Sequence, residues 1–182
     1  MIAAAPQPAH GAGLVVWLTG LPSSGKSTLA VKLADRLRAQ GVSALVLDGD
    51  EVRAALRPSP GYDDASRDAF YETLARLATL LARQGSVILV PATAHRRAFR
   101  TRARALAPAF LELWVDTPLS ECARRDAKGL YQQSAAHGTS TLPGAQLGYE
   151  TPEPDDHALR ILPDQPWEPL VDAILRARRE KY

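Results

Sequence analysis

Lys26 and Ser27 stand at the end of a run whose spacing is suited to holding phosphates. Gly20, Leu21, Pro22, Ser23, Ser24, Gly25, Lys26, Ser27 and Thr28 satisfy G-x-x-x-x-G-K-S/T without a gap. The two glycines let the backbone wrap an anion, so that successive N–H groups and the start of the next helix face its oxygens. Lys26 adds a point charge for the β- and γ-phosphates, and the Ser27 hydroxyl is suited to Mg²⁺, which keeps most of its waters and leans on few protein oxygens. A second group follows in Leu47-Asp-Gly-Asp-Glu-Val-Arg53. There Asp48 can hold the magnesium water shell, Asp50 can accept a hydroxyl proton and Arg53 can fix an anionic acceptor. Together these residues point to a bound nucleoside triphosphate, and the two carboxylates and the guanidinium beside it have clear uses in phosphoryl transfer.

The elements that must position these groups are legible as apolar runs of strand length at 14–18, 42–47, 87–90, 111–115 and 159–162. Helix-like or loop-like segments separate them, an alternation that predicts a parallel sheet covered on both faces. The phosphate run lies between the first strand and a helix over 27–40, carried by Leu29, Leu33 and Leu37 and stopped at Gly41. The second strand delivers Asp48 and Asp50 to the carboxyl edge of the sheet, where ligands of such sheets collect. Phe70, Leu74, Leu77 and Leu81 mark a further helix, Pro118 opens another, and Trp167, Leu170, Val171 and Ile174 give the last one its apolar stripe. Residues 127–157, rich in Gly and Pro and without a sustained period, read as a long functional loop.

With 182 residues, 46% of them hydrophobic, the chain suits one domain spanning 1–182. A net charge of +2 implies no general attraction to nucleic acid or membrane. The arginines crowding 96–104 and the C-terminus lack interleaved aromatics and read as solvated helix faces. The single cysteine, Cys122, excludes an intrachain disulfide and fits a reducing cytosol, and with Leu119 it reads as part of an apolar helical stripe. The start of the chain carries no basic stretch before a short apolar run, so the expectation is a cytoplasmic protein.

In these strings the chain resembles the adenylyl-sulfate kinases, which phosphorylate the 3′-hydroxyl of adenylyl sulfate with ATP. Gly20 to Thr28 is similar to that family's phosphate loop, and Leu47 to Arg53 to its D-G-D-x-V/I-R segment. Val115 to Leu119 and Cys122 to Tyr131 are similar to its fourth strand and lid start. The resemblance implies a three-layer P-loop kinase fold, with a five-stranded parallel sheet flanked by helices and a flexible lid over about 126–150. It implies that Lys26, Asp50, Arg125 and Lys128 are catalytic, with Arg125 also contacting ATP and Gly144, Tyr149 and Glu150 at the lid exit. Asp50, Arg53, Tyr62 and Arg67 would bind an anionic small-molecule acceptor, Ser27 and, through water, Asp48 would hold Mg²⁺, and the chain would form a homodimer.

The acceptor side departs from the family pattern. The G-F-S turn is Gly61-Tyr62-Asp63, and in the later D-R-x-E-N string Arg67 is kept while Phe70 stands at the Asn position. Leu89-Val-Pro-Ala-Thr93 replaces I-S-P-Y-R, and Leu142 takes the place of a lid aromatic. A missing amide and a missing stacking face remove contributions of about 1 kcal/mol each. Two alternatives to the adenylyl-sulfate kinase therefore stay open: a kinase of the same architecture acting on another alcohol or nucleotide, and a nucleotide-binding regulatory protein.

Overall fold

A computed structural model describes residues 13–126, 129–137, 142–144 and 147–179. Five strands form one parallel sheet in the order β2-β3-β1-β4-β5: β1 (Leu14–Thr19), β2 (Ala44–Val46), β3 (Val87–Pro91), β4 (Phe110–Val115) and β5 (Leu159–Ile161). Every residue of the central strand β1 is buried, because neighbouring strands and helices cover both of its faces. Leu14, Val16 and Leu18 point to one layer, formed by α1 (Lys26–Ala39) and α7 (Pro169–Arg179). Val15 and Trp17 point to the opposite layer, where α3 (Asp64–Ala82) and α4 (Arg97–Leu106) pack through Phe70, Tyr71, Leu74 and Phe99. The chain steps from β1 to β2 and β3 on one side and then crosses to β4 on the other. That reversal opens a crevice at the carboxyl ends of the strands.

The expected strands are present with small shifts in their ends. β2 is shorter than 42–47, since only Ala44–Val46 pairs with β3 and the chain then turns into α2 (Gly49–Ala55). Within the 127–157 stretch the expectation of a plain loop is corrected. α5 (Leu119–Arg125) is followed by α6 (Leu130–His137), whose first turn is capped by Asp126 Oδ2 accepting from Tyr131 N at 3.0 Å and Gln132 N at 3.1 Å. The side-chain cap supplies what the sequence period does not. Cys122 is buried as expected, but Leu119 is 45% exposed and shares no core stripe with it. Among the described residues no helix is long and apolar enough to cross a membrane.

Arg100 overturns the reading of 96–104 as a wholly solvated face. Its side chain is 1% exposed and pairs at 2.8 Å with Glu112, a carboxylate inside β4 that is equally buried. Arg104 meets the other oxygen of Glu112 at 2.8 Å, and Arg100 also donates to the carbonyls of Ala94 and Glu150. A buried pair of this kind adds little net stability while intact, yet removing one partner strands a charge at a cost of about 3–5 kcal/mol. Glu112→Ala is therefore expected to lower the unfolding free energy by ~3–5 kcal/mol, read by urea titration, and the melting temperature by roughly 2–4 °C per kcal/mol. A variant as stable as the parent would show that Arg100 finds another acceptor.

Candidate active site

The turn between β1 and α1 has the backbone that its glycines were expected to permit. Gly20 has φ of +146°, and a Cβ there would meet Val115 O at 2.4 Å; Gly25, at φ of +100°, precedes the first residue of α1. Among the described residues no side chain caps the start of α1, so its leading N–H groups have no side-chain acceptor there. Lys26 is 8% exposed and folds over the turn, its Nζ donating to Gly20 O at 2.9 Å and Leu21 O at 2.6 Å. These carbonyls hold the ammonium beside the position at which a phosphate would sit.

Asp48 joins the two sequence clusters. Its Oδ2 accepts from Ser27 Oγ at 2.6 Å, and its Oδ1 accepts from Asp50 N at 2.8 Å, which caps α2. A hydroxyl and a carboxylate at the phosphate turn are hard oxygen donors, the set that suits magnesium.

Beyond α2 the wall of the crevice is built by two arginines. Arg53 is 7% exposed, and its Nη1 donates to Pro60 O at 3.0 Å and Gly61 O at 2.7 Å. Arg67 is 6% exposed, and its Nε donates to Tyr62 O at 2.6 Å. Burial lowers the pKa of Arg67 from the ordinary guanidinium value, although it stays a cation. Asp63 organises this corner by capping α3: it accepts from Ser66 N at 2.9 Å and Ser66 Oγ at 2.6 Å, which sets the turn that presents Tyr62.

One cleft of about 1020 Å³ runs from the phosphate turn to this corner. Pro22, Ser23, Gly25, Lys26, Ser27 and Thr28 line one end. Asp48, Asp50, Arg53, Tyr62, Arg67 and Phe70 line the other. Arg125, at the end of α5, borders the cleft and pairs with Glu121 at 2.9 Å; with Arg124, it holds the Glu121 carboxyl down to about 2. Leu142 also lines the cleft, where the resembling family carries an aromatic. Lys128 lies outside the described residues, as does part of the expected lid over 126–150.

Two features of the site leave no local signal in the sequence. A hollow of about 240 Å³ adjoins the phosphate turn, lined by Thr28, Lys32, Thr117, Pro163 and Trp167 and sharing Arg125 with the cleft. Its residues come from four separate stretches of the chain, so no local string marks it. The second feature is the anchoring of the two ends of the expected lid segment. Tyr149 Oη lies 3.0 Å from Thr19 Oγ1, Glu150 Oε2 accepts from Arg97 N at 2.6 Å, and Tyr131 Oη donates to Pro22 O at 3.0 Å. Burial pushes both tyrosine hydroxyls up to about 12, so they remain protonated donors.

His95 lies behind the arginine wall, 2% exposed, with both ring nitrogens unpartnered among the described residues. Burial, with Arg67 and Arg96 nearby, lowers its pKa from 6.5 to about 4 against the opposing pull of Asp64 and Glu150. The folded protein thus refuses a proton that the unfolded chain takes up below pH 6.5. The stability contributed by the neutral ring is complete above that value and is lost as pH falls toward 4. Urea titrations from pH 7 to pH 4 should show a fall in stability that His95→Leu flattens by as much as ~1.4 kcal/mol per pH unit. An unchanged slope would mean that His95 titrates alike in both states.

A family profile and sequence relatives agree on one family. The adenylylsulphate kinase profile matches residues 12–160. The adenylyl-sulfate kinase of Aeromonas hydrophila is 40% identical over 169 residues, covering 91% of this chain and 85% of that protein. The bifunctional enzyme NodQ of Azospirillum brasilense is 43% identical over 141 residues, which is 76% of this chain but 23% of NodQ, so the chain spans about a quarter of that relative. Among solved structures, the Mycobacterium tuberculosis APS kinase CysC in complex with AMPPNP and APS superposes with a TM-score of 0.81 at 36% identity, covering 92% of this chain and 98% of that one.

Proposed function

The chain belongs to the adenylylsulphate kinase family, and from that premise we propose that it transfers the γ-phosphoryl group of ATP to the 3′-hydroxyl of adenylyl sulfate, a step of sulfate activation. The observation that carries this reading is the single cleft bordered by the phosphate turn at one end and by Asp50, Arg53 and Arg67 at the other. Such a reaction asks the protein mainly to align two substrates and to neutralise the charge of the moving group.

Each residue then has a task. The backbone from Gly20 to Thr28 cradles the phosphates of ATP, and the neighbouring hollow between Thr117 and Trp167 takes its base, with Arg125 at the junction. Lys26 exchanges the carbonyls of Gly20 and Leu21 for phosphate oxygens and offsets their charge. Asp50 orients the acceptor hydroxyl and receives its proton, while Arg53, Arg67 and Tyr62 hold the anionic acceptor. Ser27 and, through water, Asp48 would hold Mg²⁺, whose charge neutralises the phosphate chain. Arg125 and Lys128 belong to a lid over about 126–150 that excludes water, so that the alcohol rather than water is phosphorylated. The contact of Tyr131 with Pro22 O supports such a coupling of lid to phosphate turn. The sole cysteine, Cys122, fits a cytoplasmic setting, and the family resemblance carries the expectation of a homodimer.

A coupled assay with Mg·ATP and a panel of acceptors tests the reaction: adenylyl sulfate should be phosphorylated well above background ATP hydrolysis. Turnover of another alcohol with none of adenylyl sulfate would overturn the assignment. Asp50→Ala should keep ATP affinity within a few-fold while transfer falls by about a hundredfold or more. Lys26→Ala should weaken both, as read by calorimetry and by initial rates. Chelating Mg²⁺ should stop transfer, and its addition restore it.

A further inference from the structure

Arg53 is a buried cation with no carboxylate partner: among the described residues it makes no ion pair, and its Nε and Nη2 donate to no acceptor. Aromatic rings stand where a counter-ion would be expected. The guanidinium carbon lies 3.8 Å from the centroid of the Phe70 ring and 4.7 Å from that of Tyr62. Two carbonyls, Pro60 O and Gly61 O, hold Nη1 from the edge. The Phe70 ring is fixed in turn, since it meets Tyr71 edge-on at 5.4 Å, and the Tyr71 hydroxyl accepts from Ala94 N at 3.0 Å.

We propose that Phe70 is a positioning residue of the acceptor site, its ring face holding Arg53 in the plane from which its remaining N–H groups meet an oxyanion of the acceptor. The negative face of an aromatic ring stabilises a guanidinium without occupying its donors, whereas a carboxylate in the same place would consume them. Phe70 thus leaves Arg53 charged, oriented and still able to grip a sulfate or phosphate in a fork. The ring stands at the position where the resembling family has Asn, so a contact made by an amide is exchanged here for control of the neighbouring arginine. This inference rests on the reading of the cleft as a phosphoryl-acceptor site.

Phe70 is 3% exposed and belongs to the core beneath α3, so truncation to Ala would disturb packing as well as the stack. Fluorinated phenylalanines incorporated at position 70 keep the shape while withdrawing charge from the ring face. KM for adenylyl sulfate is expected to rise with each added fluorine, reaching about tenfold for the trifluoro ring, while KM for ATP and the melting temperature stay level. Packing alone would leave KM flat across the series, and a flat series overturns the proposal. A second measurement needs no acceptor. The Nε–H proton resonance of Arg53, assigned through its loss in Arg53→Lys, should lie upfield under the ring and move downfield in Phe70→Leu. Absence of that displacement also overturns the proposal. If the unmodified enzyme turns over no adenylyl sulfate, the functional assignment falls on its own, while the resonance still reports whether the stack exists.

Discussion

Asp48 receives hydrogen bonds from two places that the chain separates, Ser27 at the end of the phosphate turn and Asp50 at the start of α2. One carboxylate therefore sets the distance between the end of the cleft suited to polyphosphate and the end suited to an alcohol. The arrangement depends on β1 and β2 reaching the same edge of the sheet with β3 between them, which parallel pairing through β3 enforces. If the register slipped by one residue, Asp48 would turn to the opposite face and the two ends of the cleft would lose their common member.

The arginines show how the same side chain is put to different use by its surroundings. Arg100 meets a buried carboxylate and donates its other N–H groups to carbonyls, so it fixes the backbone at Glu150 to the sheet. Arg53 is also buried but meets ring faces and two carbonyls on one nitrogen, which leaves donors facing the cleft. Arg125 sits half-exposed beside Glu121, where water screens the pair and little energy opposes its movement into the cleft. The partner that each guanidinium meets, a buried carboxylate, a ring face or an exposed ion pair, separates structural cations from those with donors left facing the cleft.

Much of the site could be read from local strings. The phosphate turn, the Asp48-to-Arg53 corner and the strands that carry them obey short-range rules of glycine conformation, apolar run length and capping. Arg67 and Tyr62 also line the cleft. The inward turn of Arg100 had only one faint sign, the single carboxylate Glu112 within an apolar strand. Helix α6 had none in its periodicity, because its first turn depends on the side chain of Asp126.

The sequence by itself determined where the backbone can cradle an anion and in what order strands and helices alternate, since both follow from interactions among residues a few positions apart. Tertiary structure alone decided which face of Arg53 is covered by Phe70, which carboxylate neutralises Arg100, and that a second hollow forms beside the phosphate turn from Thr28, Thr117 and Trp167. Those partners lie on separate elements of the fold. Their distances are set only when apolar burial on both faces of the sheet brings the elements together.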